Sequence, residues 1–481
     1  MRYYVITFGC QMNNSDSERI AAVLEGIRYE KASNIDEANL ILVNMCSVRQ
    51  SAVDRVFGLV RKFKELKKEN KNLKTLLTGC VSSSDLKKFR NFFDFVLSIK
   101  ALSLWPEFLN EGKHFYYPNP RSLFEAEYLK KKSKYSKNFS ALISISTGCD
   151  NFCSFCIVPY VRGPLICRPH EDVLKEAKFA IETGSKEIWL LGQNVNSYRS
   201  QIDANLPRIS RIKNKEISDI CGQIRENSRD VNFPKLLRQV NDIEGNFWIR
   251  FTSSHPKPST RAKLGAGLVP HRNKVSGARD FSWDELIDTM AECKKVTEYL
   301  NLPVQSGDDE ILKKMNRPYT IEEYKKIVKK IREKMPEIAL STDVIVGFPS
   351  ETKKQFQNTV ALFKEIKYDM AYIAKYSPRP GTTASKLKDD IKPEEKERRW
   401  RILTRILKET ALEKNKKYIG KEIEVLVDKG KNNFYFGKTR TYKTVKVQSA
   451  INNQQLTIKP GQFVKAKIID ALPWGLKGIL R

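Results

Sequence analysis

The sequence predicts an α/β protein in three parts: an N-terminal open parallel sheet, a partial (β/α) barrel and a small C-terminal β-barrel. Three observations lead to this prediction. Apolar runs alternate with amphipathic segments over residues 1–120, and the alternation resumes over 138–392. Short alternating strands with Gly and Asn turns then fill 418–481. A linker rich in Pro, Ser and Lys separates the first two parts, and a basic helix is predicted over 393–417.

The first part contains four apolar runs that read as strands, with helices predicted over 15–29 and 49–69. The runs are "RYYVITFG", "ANLILVN", "LKTLLTG" and "FDFVLS". Strands that alternate with helices in this way favour parallel pairing, because each crossover helix returns the chain to the same end of the sheet.

The second part contains six further candidate strands. They are "ALISIST", "EIWLLGQ", "FWIRFTS", "YLNLPVQ", "LSTDVIVG" and "MAYIAKYS". Helices are predicted between them over 171–183, 284–298 and 320–334. Two segments, 200–232 and 256–282, interrupt the rhythm as insertions. The second insertion carries six basic residues and one acidic residue. The insertions could bind nucleic acid, be disordered or impair the protein; the lack of an apolar period favours disorder.

Composition and charge restrict the possible functions. The chain has 481 residues, with 86 Lys and Arg against 56 Asp and Glu, a net charge of +30. This excess indicates a polyanionic partner, either nucleic acid or an anionic membrane surface. No apolar run approaches the roughly 20 residues that span a bilayer, and "MRYYVITFGC" lacks the apolar core of a signal peptide. We therefore expect a cytoplasmic protein, in which nine cysteines indicate metal or redox chemistry rather than disulfides.

Three cysteines lie within eight residues of "STGCDNFCSFCIVPY", residues 146–160. They are Cys149, Cys153 and Cys156, on a loop that follows a predicted strand. A structural zinc site needs a fourth ligand, and the four histidines form no ligand pair. A 4Fe–4S cluster held by three thiolates would leave one iron open to a chelating small molecule. The spacing favours the cluster over zinc or over unligated structural cysteines.

Three further cysteines share one structural context. Cys10, Cys46 and Cys80 each close an apolar run: "YVITFGC", "LILVNMC" and "TLLTGC". If these runs are parallel strands, the three thiols emerge at one edge of the sheet, where α/β sheets bind ligands. They form a second candidate metal site, against the alternative of three ordinary buried cysteines.

These motifs together resemble the radical S-adenosylmethionine methylthiotransferases. The resemblance covers nearly the whole chain apart from the two insertions, and the substrate branch it most resembles acts on dimethylallyladenosine in tRNA. It is carried by "FGCQMNNSDSE", "NMCSVRQSA", "GCVSSSD", "TGCDNFCSFCIVPYVRG", "LLGQNVNSY", "IRFTSSHP", "LPVQSG", "IVGFPSET", "YSPRPGT" and "GQFVKAKIIDALPWGLKG".

The resemblance implies a methylthiotransferase domain (1–120), a radical domain (138–392) and a TRAM domain (418–481). It implies two 4Fe–4S clusters, one at each cysteine triad, and two S-adenosylmethionine molecules. One of these would be cleaved to a 5′-deoxyadenosyl radical at the compact triad. It also implies a low-potential electron donor, a sulfur donor and a tRNA anticodon stem-loop as partners, and we expect a monomer.

Weaker candidates lie at predicted strand ends and beside the compact triad. In the family such positions resemble S-adenosylmethionine contacts, although strand-end capping explains them equally well. They are Phe155, Gln193, Asn194, Ser253, Gln305 and the turn 346–351. The remaining cysteines are expected to be structural; they are Cys167, Cys221 and Cys293.

The C-terminal segment indicates RNA binding. Residues 418–481 hold twelve basic and four acidic residues. The aromatic residues among them could stack on bases, although aromatic residues also form cores; they are Phe434, Tyr435, Phe436 and Tyr442. Other branches of the family act on threonylcarbamoyladenosine in tRNA or on ribosomal protein S12, and the basic charge opposes the protein substrate. A non-enzymatic iron–sulfur protein that binds RNA or transfers electrons is the alternative of another class.

Overall fold

The structure is a computed structural model, and the statements below concern the residues it describes. These are 1–116, 127–131, 133–135, 139–200, 231–252, 254–256, 281–431, 433–448 and 458–480. Two compact units are present. The first consists of Met1–Arg168, Leu190–Gln193 and Ser377–Leu387, and the second of Pro169–Trp189, Asn194–Tyr376 and Lys388–Arg481.

The first unit contains the predicted open parallel sheet. Its strands are β1 (Arg2–Phe8), β2 (Glu30–Lys31), β3 (Leu40–Cys46), β4 (Lys74–Cys80), β5 (Phe95–Leu97) and β6 (Phe115–Tyr116), in the order β2-β1-β3-β4-β5-β6. Every neighbouring pair is parallel. The helices are α1 (Gln11–Gly26), α2 (Gln50–Glu69), α3 (Ser83–Phe89) and α4 (Trp105–Asn110). The α/β prediction is confirmed for this part.

Both faces of this sheet are buried, which explains its continuous apolar runs. Leu42 and Leu76 belong to one apolar cluster, and Val43 and Leu77 belong to another. Successive side chains of a strand point to opposite faces, so the two clusters lie on opposite sides of the sheet.

The cysteine-rich loop also belongs to the first unit. It lies between short strands β8 (Ser146–Thr147) and β9 (Ile166–Cys167), which pair antiparallel. Strand β7 (Ser140–Ser144) precedes it, and the one-turn helix α5 (Val158–Val161) lies within it.

The second unit contains the remaining βα segments. Its strands are β10 (Glu187–Leu191, whose last two residues belong to the first unit), β11 (Trp248–Phe251), β12 (Tyr299–Asn301), β13 (Ala339–Val346) and β14 (Met370–Lys375). Its helices are α6 (His170–Glu182), α7 (Phe233–Asn241), α8 (Trp283–Glu292), α9 (Asp309–Lys314), α10 (Ile321–Lys334), α11 (Lys353–Ile366) and α12 (Pro393–Lys416). Strands β12, β13 and β14 are parallel neighbours.

Two predicted elements of this unit end at least four residues early. The helix predicted over 284–298 ends at Glu292, because Cys293 is extended and the next residues pair with β11. Thr297 donates its backbone N–H to the carbonyl of Ile249, and Ile249 donates to Lys295. The strand "YLNLPVQ" ends at Asn301, shortly before Pro303, which has no N–H to donate.

The C-terminal segment forms a closed five-stranded barrel, as the sequence predicts. Its strands are β15 (Glu422–Lys431), β16 (Phe434–Lys438), β17 (Thr444–Gln448), β18 (Phe463–Leu472) and β19 (Gly475–Leu480), in the order β15-β16-β17-β19-β18. The barrel core is aliphatic and includes Val425, Val445 and Ile468.

Buried charges fix the barrel within the second unit. Arg250 of β11 donates to the carbonyls of Thr439 and Arg440, at 2.7 and 2.8 Å, and to the Glu187 carboxylate at 2.6 Å. Arg440 in turn binds Glu298 at 2.8 Å. The turn between β16 and β17 is therefore held by charge-assisted hydrogen bonds.

Candidate metal centre at two cysteine triads

The sheet brings Cys10, Cys46 and Cys80 to its carboxyl edge. Cys46 and Cys80 are the last residues of β3 and β4 and are direct register partners. Cys10 follows β1, the other neighbour of β3, and caps the start of α1. Cys46 and Cys80 are buried and Cys10 is exposed. A hydrogen bond with Cys46, together with burial, raises the pKa of the Cys80 thiol. Metal binding at Cys80 would have to displace the proton of its thiol.

Glycine at position 79 is required by this close packing of strands. Its φ is +109°, and a Cβ there would lie 2.2 Å from the carbonyl oxygen of Met45. Gly79 therefore lets the backbone before Cys80 approach the residue before Cys46.

An asparagine pair supports the first cysteine, and sequence reasoning did not assign it a role. The Asn13 amide oxygen accepts from the Cys10 thiol at 3.5 Å, and its nitrogen donates to Asn44 at 3.0 Å. Asn44 returns a bond to the Asn13 carbonyl at 2.8 Å. The sequence feature that could have identified this pair is Asn44, a polar residue inside the otherwise apolar run "LILVNMC", which is buried throughout.

Arg162 reaches the same edge of the sheet. Its Nε donates to the Cys80 sulfur at 2.9 Å, and its Nη2 donates to the Asp16 carboxylate at 2.5 Å. Burial opposes the guanidinium charge, but Asp16 and Cys80 outweigh burial and raise the pKa of Arg162 further. The guanidinium therefore stays charged beside a cysteine sulfur.

Cys149, Cys153 and Cys156 lie on one closed loop, and all three are partly buried. The Cys149 N–H donates to the carbonyl of Gly163 at 3.1 Å, which joins the two ends of the loop. Gly148 has φ +79°, and a Cβ there would lie 1.8 Å from the carbonyl oxygen of Pro164. Only glycine fits this crossing.

Within the first unit the two triads are linked by packing. Ile157 and Val161, which follow the loop cysteines, form one apolar cluster with Cys46 and Cys80. Among the described residues, no three His, Cys, Asp or Glu side chains close around a single ion. A cubane instead has four irons, each with its own ligand, and the donor set of soft thiolates fits iron–sulfur chemistry.

The strand-end candidates have different environments. The amide oxygens of Gln193 and Asn194 are buried without a hydrogen-bond partner among the described residues. Gln305 has φ +70°, unusual for a residue with a side chain. Phe155 is partly buried, and Ser253 lies outside the described residues.

The buried oxygens of Asn196 and Ser254 also lack a partner among the described residues, and sequence reasoning did not select either residue. Their positions in the sequence could have identified them: Asn196 lies three residues beyond Gln193, and Ser254 directly follows Ser253, at the ends of the same strands.

The turn 346–351 is held by structural contacts. Glu351 is buried, accepts from the N–H of Gly347 at 2.7 Å and binds Arg399 at 2.6 Å. These bonds favour the capping interpretation of this turn over ligand contact. Cys167 and Cys293 are buried, and Cys221 lies outside the described residues. Most of the two insertions, 201–230 and 257–280, also lies outside.

The aromatic residues of the C-terminal barrel divide into two groups. Tyr435 packs on the barrel core, and Tyr442 is packed against Trp189 and Arg250, so neither offers the open stacking surface that the sequence suggested. Phe434 and Phe436 alternate with Tyr435 along β16 and face the other side. Lys446 lies 3.7 Å from the Phe434 ring centroid, and Lys429 lies 5.5 Å from that of Phe436. We call these four residues, Phe434, Phe436, Lys429 and Lys446, the β16 face.

Three sequence families match successive parts of the chain. Residues 2–98 match the family described as Uncharacterized protein family UPF0004, 143–363 match the Radical SAM superfamily, and 416–480 match the TRAM domain. None of the described helices is long and apolar enough to cross a membrane.

Curated relatives are similar over almost the entire chain. The tRNA-2-methylthio-N(6)-dimethylallyladenosine synthase of Clostridium botulinum (strain Langeland) is 37% identical over 490 residues, covering 99% of this chain and 96% of that protein. The synthase of Caldicellulosiruptor saccharolyticus is 35% identical over 482 residues, covering 98% and 90%. Among solved structures, the radical S-adenosylmethionine methyltransferase TsrM of Kitasatospora setae has a TM-score of 0.50 at 13% identity, covering 80% of this chain and 75% of that chain. This likeness concerns the fold alone.

Proposed function

The chain belongs to the family of tRNA-2-methylthio-N(6)-dimethylallyladenosine synthases, and from this premise we propose that it transfers a methylthio group to carbon 2 of N(6)-dimethylallyladenosine at position 37 of tRNA. The observation that carries the proposal is the presence of two cysteine triads in one compact unit. Such a transfer needs a sulfur carrier and a radical source, and each triad suits one of these tasks. A C–H bond without an acidic proton is not opened by a general base, so cofactor chemistry is required.

The family uses a 4Fe–4S cluster and S-adenosylmethionine, and we propose two clusters in this chain. Cys149, Cys153 and Cys156 would hold the cluster that, when bound, supplies the electron for cleaving S-adenosylmethionine. The sheet-edge cysteines, Cys10, Cys46 and Cys80, would hold the second, which carries the sulfur to be methylated. Two molecules of S-adenosylmethionine would be consumed, one as methyl donor and one as radical source.

The chain's own residues would position these groups. The bond from the Cys149 N–H to the Gly163 carbonyl closes the loop of the compact triad, and the Asn13 amide orients Cys10. The buried amide oxygens of Gln193 and Asn194 are suited to the ammonium and hydroxyl donors of S-adenosylmethionine. By the resemblance, candidates for the same ligand also include Gln305, Ser253 and Phe155.

The substrate is tRNA, and we propose that the β16 face contacts its anticodon stem-loop. The two lysines lie over the two phenylalanine rings. They can swing outward to pair with phosphates, and the ring faces that they leave can then stack on bases. The domain bounds that accompany this proposal are 1–120, 138–392 and 418–481. We further propose a monomeric cytoplasmic enzyme that depends on a low-potential electron donor and a sulfur donor.

Product analysis tests the reaction. The anaerobically reconstituted protein, with reductant and S-adenosylmethionine, is incubated separately with prenylated tRNA, unprenylated tRNA and ribosomal protein S12. We expect methylthio product on prenylated tRNA, detected by mass spectrometry of nucleosides and peptides. A methylthio group on S12, or equal reaction of unprenylated tRNA, would refute the substrate assignment. Product from threonylcarbamoyladenosine tRNA in place of the prenylated form would assign the chain to that branch.

Iron analysis tests the two sites. A Cys149→Ala/Cys153→Ala/Cys156→Ala variant should retain about half the iron of the parent, because one cluster remains at the sheet edge. It should form no 5′-deoxyadenosine. Retention of all the iron, or of none, would contradict two independent sites. A protein that holds clusters but never cleaves S-adenosylmethionine on reduction would be the non-enzymatic alternative.

A further inference from the structure

Arg162 is a fully buried cation at the carboxyl edge of the sheet. Its side chain is 2% exposed, and the Asp16 carboxylate that it binds is 0% exposed. A charge removed from water to this degree is costly unless it is paired and hydrogen-bonded. The Asp16 bond at 2.5 Å supplies the pairing and leaves the other guanidinium donors available for neutral or sulfur acceptors.

One of those donors is directed at a cysteine sulfur. Nε lies 2.9 Å from the Cys80 sulfur, and Nη1 lies 3.3 Å from the Tyr128 hydroxyl. Asp16 alone would satisfy the ion pair, so charge neutralisation does not require the sulfur contact. A planar guanidinium held at three points has little freedom to rotate, and its Nε–H is thereby fixed on the sulfur.

The backbone next to Arg162 holds the compact triad. Gly163 accepts the hydrogen bond from the Cys149 N–H, and Val161 packs on Cys46 and Cys80. Residues 161–163 therefore contact both triads, through a side chain on one side and a carbonyl on the other.

We propose that Arg162 is a positioning residue that fixes the Cys80 sulfur and raises the reduction potential of the cluster held at Cys10, Cys46 and Cys80. The inference rests on the proposed function, in which Cys80 is a cluster ligand. A hydrogen bond to a ligating sulfur withdraws electron density and stabilises the reduced, more negative cluster, and such bonds are among the determinants of cluster potentials. The Arg162 cation acts in the same direction.

The test uses the background that lacks the compact triad, so that a single cluster is measured. Arg162→Met and Arg162→Lys are introduced there, and the midpoint potential is followed by electron paramagnetic resonance during redox titration. Methionine removes both the donor and the charge, whereas lysine keeps the charge without the fixed Nε–H. We expect R162M to lower the ratio of reduced to oxidised cluster at least tenfold at a fixed potential, a shift of about 59 mV for one electron. We expect R162K to shift it in the same direction by less.

Arg399→Met is the matched control for loss of a buried arginine. Arg399 is 3% exposed and lies in the second unit, where its ion pairs are with Glu351 and Glu395 rather than with a cysteine. Circular dichroism of each variant shows whether the fold is retained. R399M should leave the midpoint potential unchanged even if it lowers stability, so a potential shift confined to the Arg162 variants supports the proposal. If R162M folds but does not retain the cluster, this result also supports a role of Arg162 in fixing the Cys80 sulfur. The midpoint potential is then measured on R162K.

The two possible failures are distinguishable. A triad-deleted parent without iron overturns the two-site assignment, and the role of Arg162 with it. A parent with its expected iron, and R162M and R162K at the same potential as the parent, overturns the role of Arg162 alone. Arg162 would then be only a structural ion-pair partner of Asp16.

Discussion

Replacing Arg250 by methionine should weaken the attachment of the C-terminal barrel more than any surface change. Arg250 is fully buried, and Glu187 beside it is 9% exposed. The introduced methionine side chain would fill much of the space but would remove the cationic partner of the Glu187 carboxylate, which keeps its hydrogen bond from the Trp189 indole N–H at 2.8 Å. The carbonyls of Thr439 and Arg440 would also lose the Arg250 donors, although Thr439 still accepts from the backbone N–H of Tyr442.

The magnitude follows from the cost of a buried carboxylate that has lost its cationic partner. Removing one partner of a buried ion pair typically costs about 3–5 kcal/mol. Carbonyls that become accessible to water when the turn moves away lose only net hydrogen bonds, about 1 kcal/mol each. We therefore expect R250M to lower the free energy of the transition that releases the barrel by about 3–5 kcal/mol. A double variant, R250M/E187Q, should recover part of this loss because no charge remains buried.

Urea unfolding followed by tryptophan fluorescence measures the effect, since Trp189 and Trp248 flank the Arg250 guanidinium. The protein has several domains, so transition midpoints and slopes are compared rather than a single free energy. Arg61→Met is the control: Arg61 is 91% exposed and its ion pair is with the exposed Glu65, so its loss should change stability by less than about 0.5 kcal/mol. An R250M midpoint equal to that of R61M would refute the reasoning.

Three other predictions concern RNA, pH and the substrate. Changing Lys429 and Lys446 to Ala should weaken binding of every tRNA, whatever its sequence, and should reduce the slope of log affinity against log salt by about 2. Filter binding at several salt concentrations measures this slope, and an unchanged slope would place the RNA-binding surface elsewhere. Burial opposes ionisation of Asp369, but Lys443 and Lys414 lower its pKa, so its contribution to stability is present above about pH 4 and is lost as pH falls further. In urea titrations, the free energy of unfolding of the wild type should therefore exceed that of D369N near neutral pH but not in acid. A difference that persists in acid would contradict this prediction. When both tRNAs are present in one reaction, prenylated tRNA should form methylthio product more than tenfold faster than unprenylated tRNA, because each buried methylene of the prenyl group contributes roughly 0.8 kcal/mol. Equal rates would argue against an apolar pocket for the prenyl group.

The sequence predicted the first sheet well because its local and tertiary requirements agree. "LILVNMC" is apolar apart from one asparagine, and the strand is buried on both faces, so length and composition sufficed to locate β3. The same run places Cys46 at the sheet edge without knowledge of its neighbours.

The failures arose where long-range contacts decide the outcome. Residues 293–298 read as helix, but their backbone pairs with β11, more than 40 positions earlier in the chain. The Arg162–Asp16 pair spans 146 positions, and no local pattern distinguishes that arginine from the chain's many others. Tyr442 could be recognised as aromatic from sequence, but its burial against Arg250 and Trp189 could not.

The two apolar clusters that sandwich the N-terminal sheet have a consequence for how the enzyme matures. Cys46 and Cys80 become neighbours only when β3 and β4 are in register, so no nascent hairpin can gather the thiols. The two apolar side-chain clusters that enforce this register consist of aliphatic and aromatic side chains rather than metal ligands. We therefore expect the newly made polypeptide to fold before the proposed iron–sulfur clusters are inserted, unlike a zinc finger, which has no structure before its ion binds. At the proposed cluster sites, iron and sulfide would therefore enter a scaffold that is already folded, and we expect chelation to remove them without unfolding the N-terminal sheet.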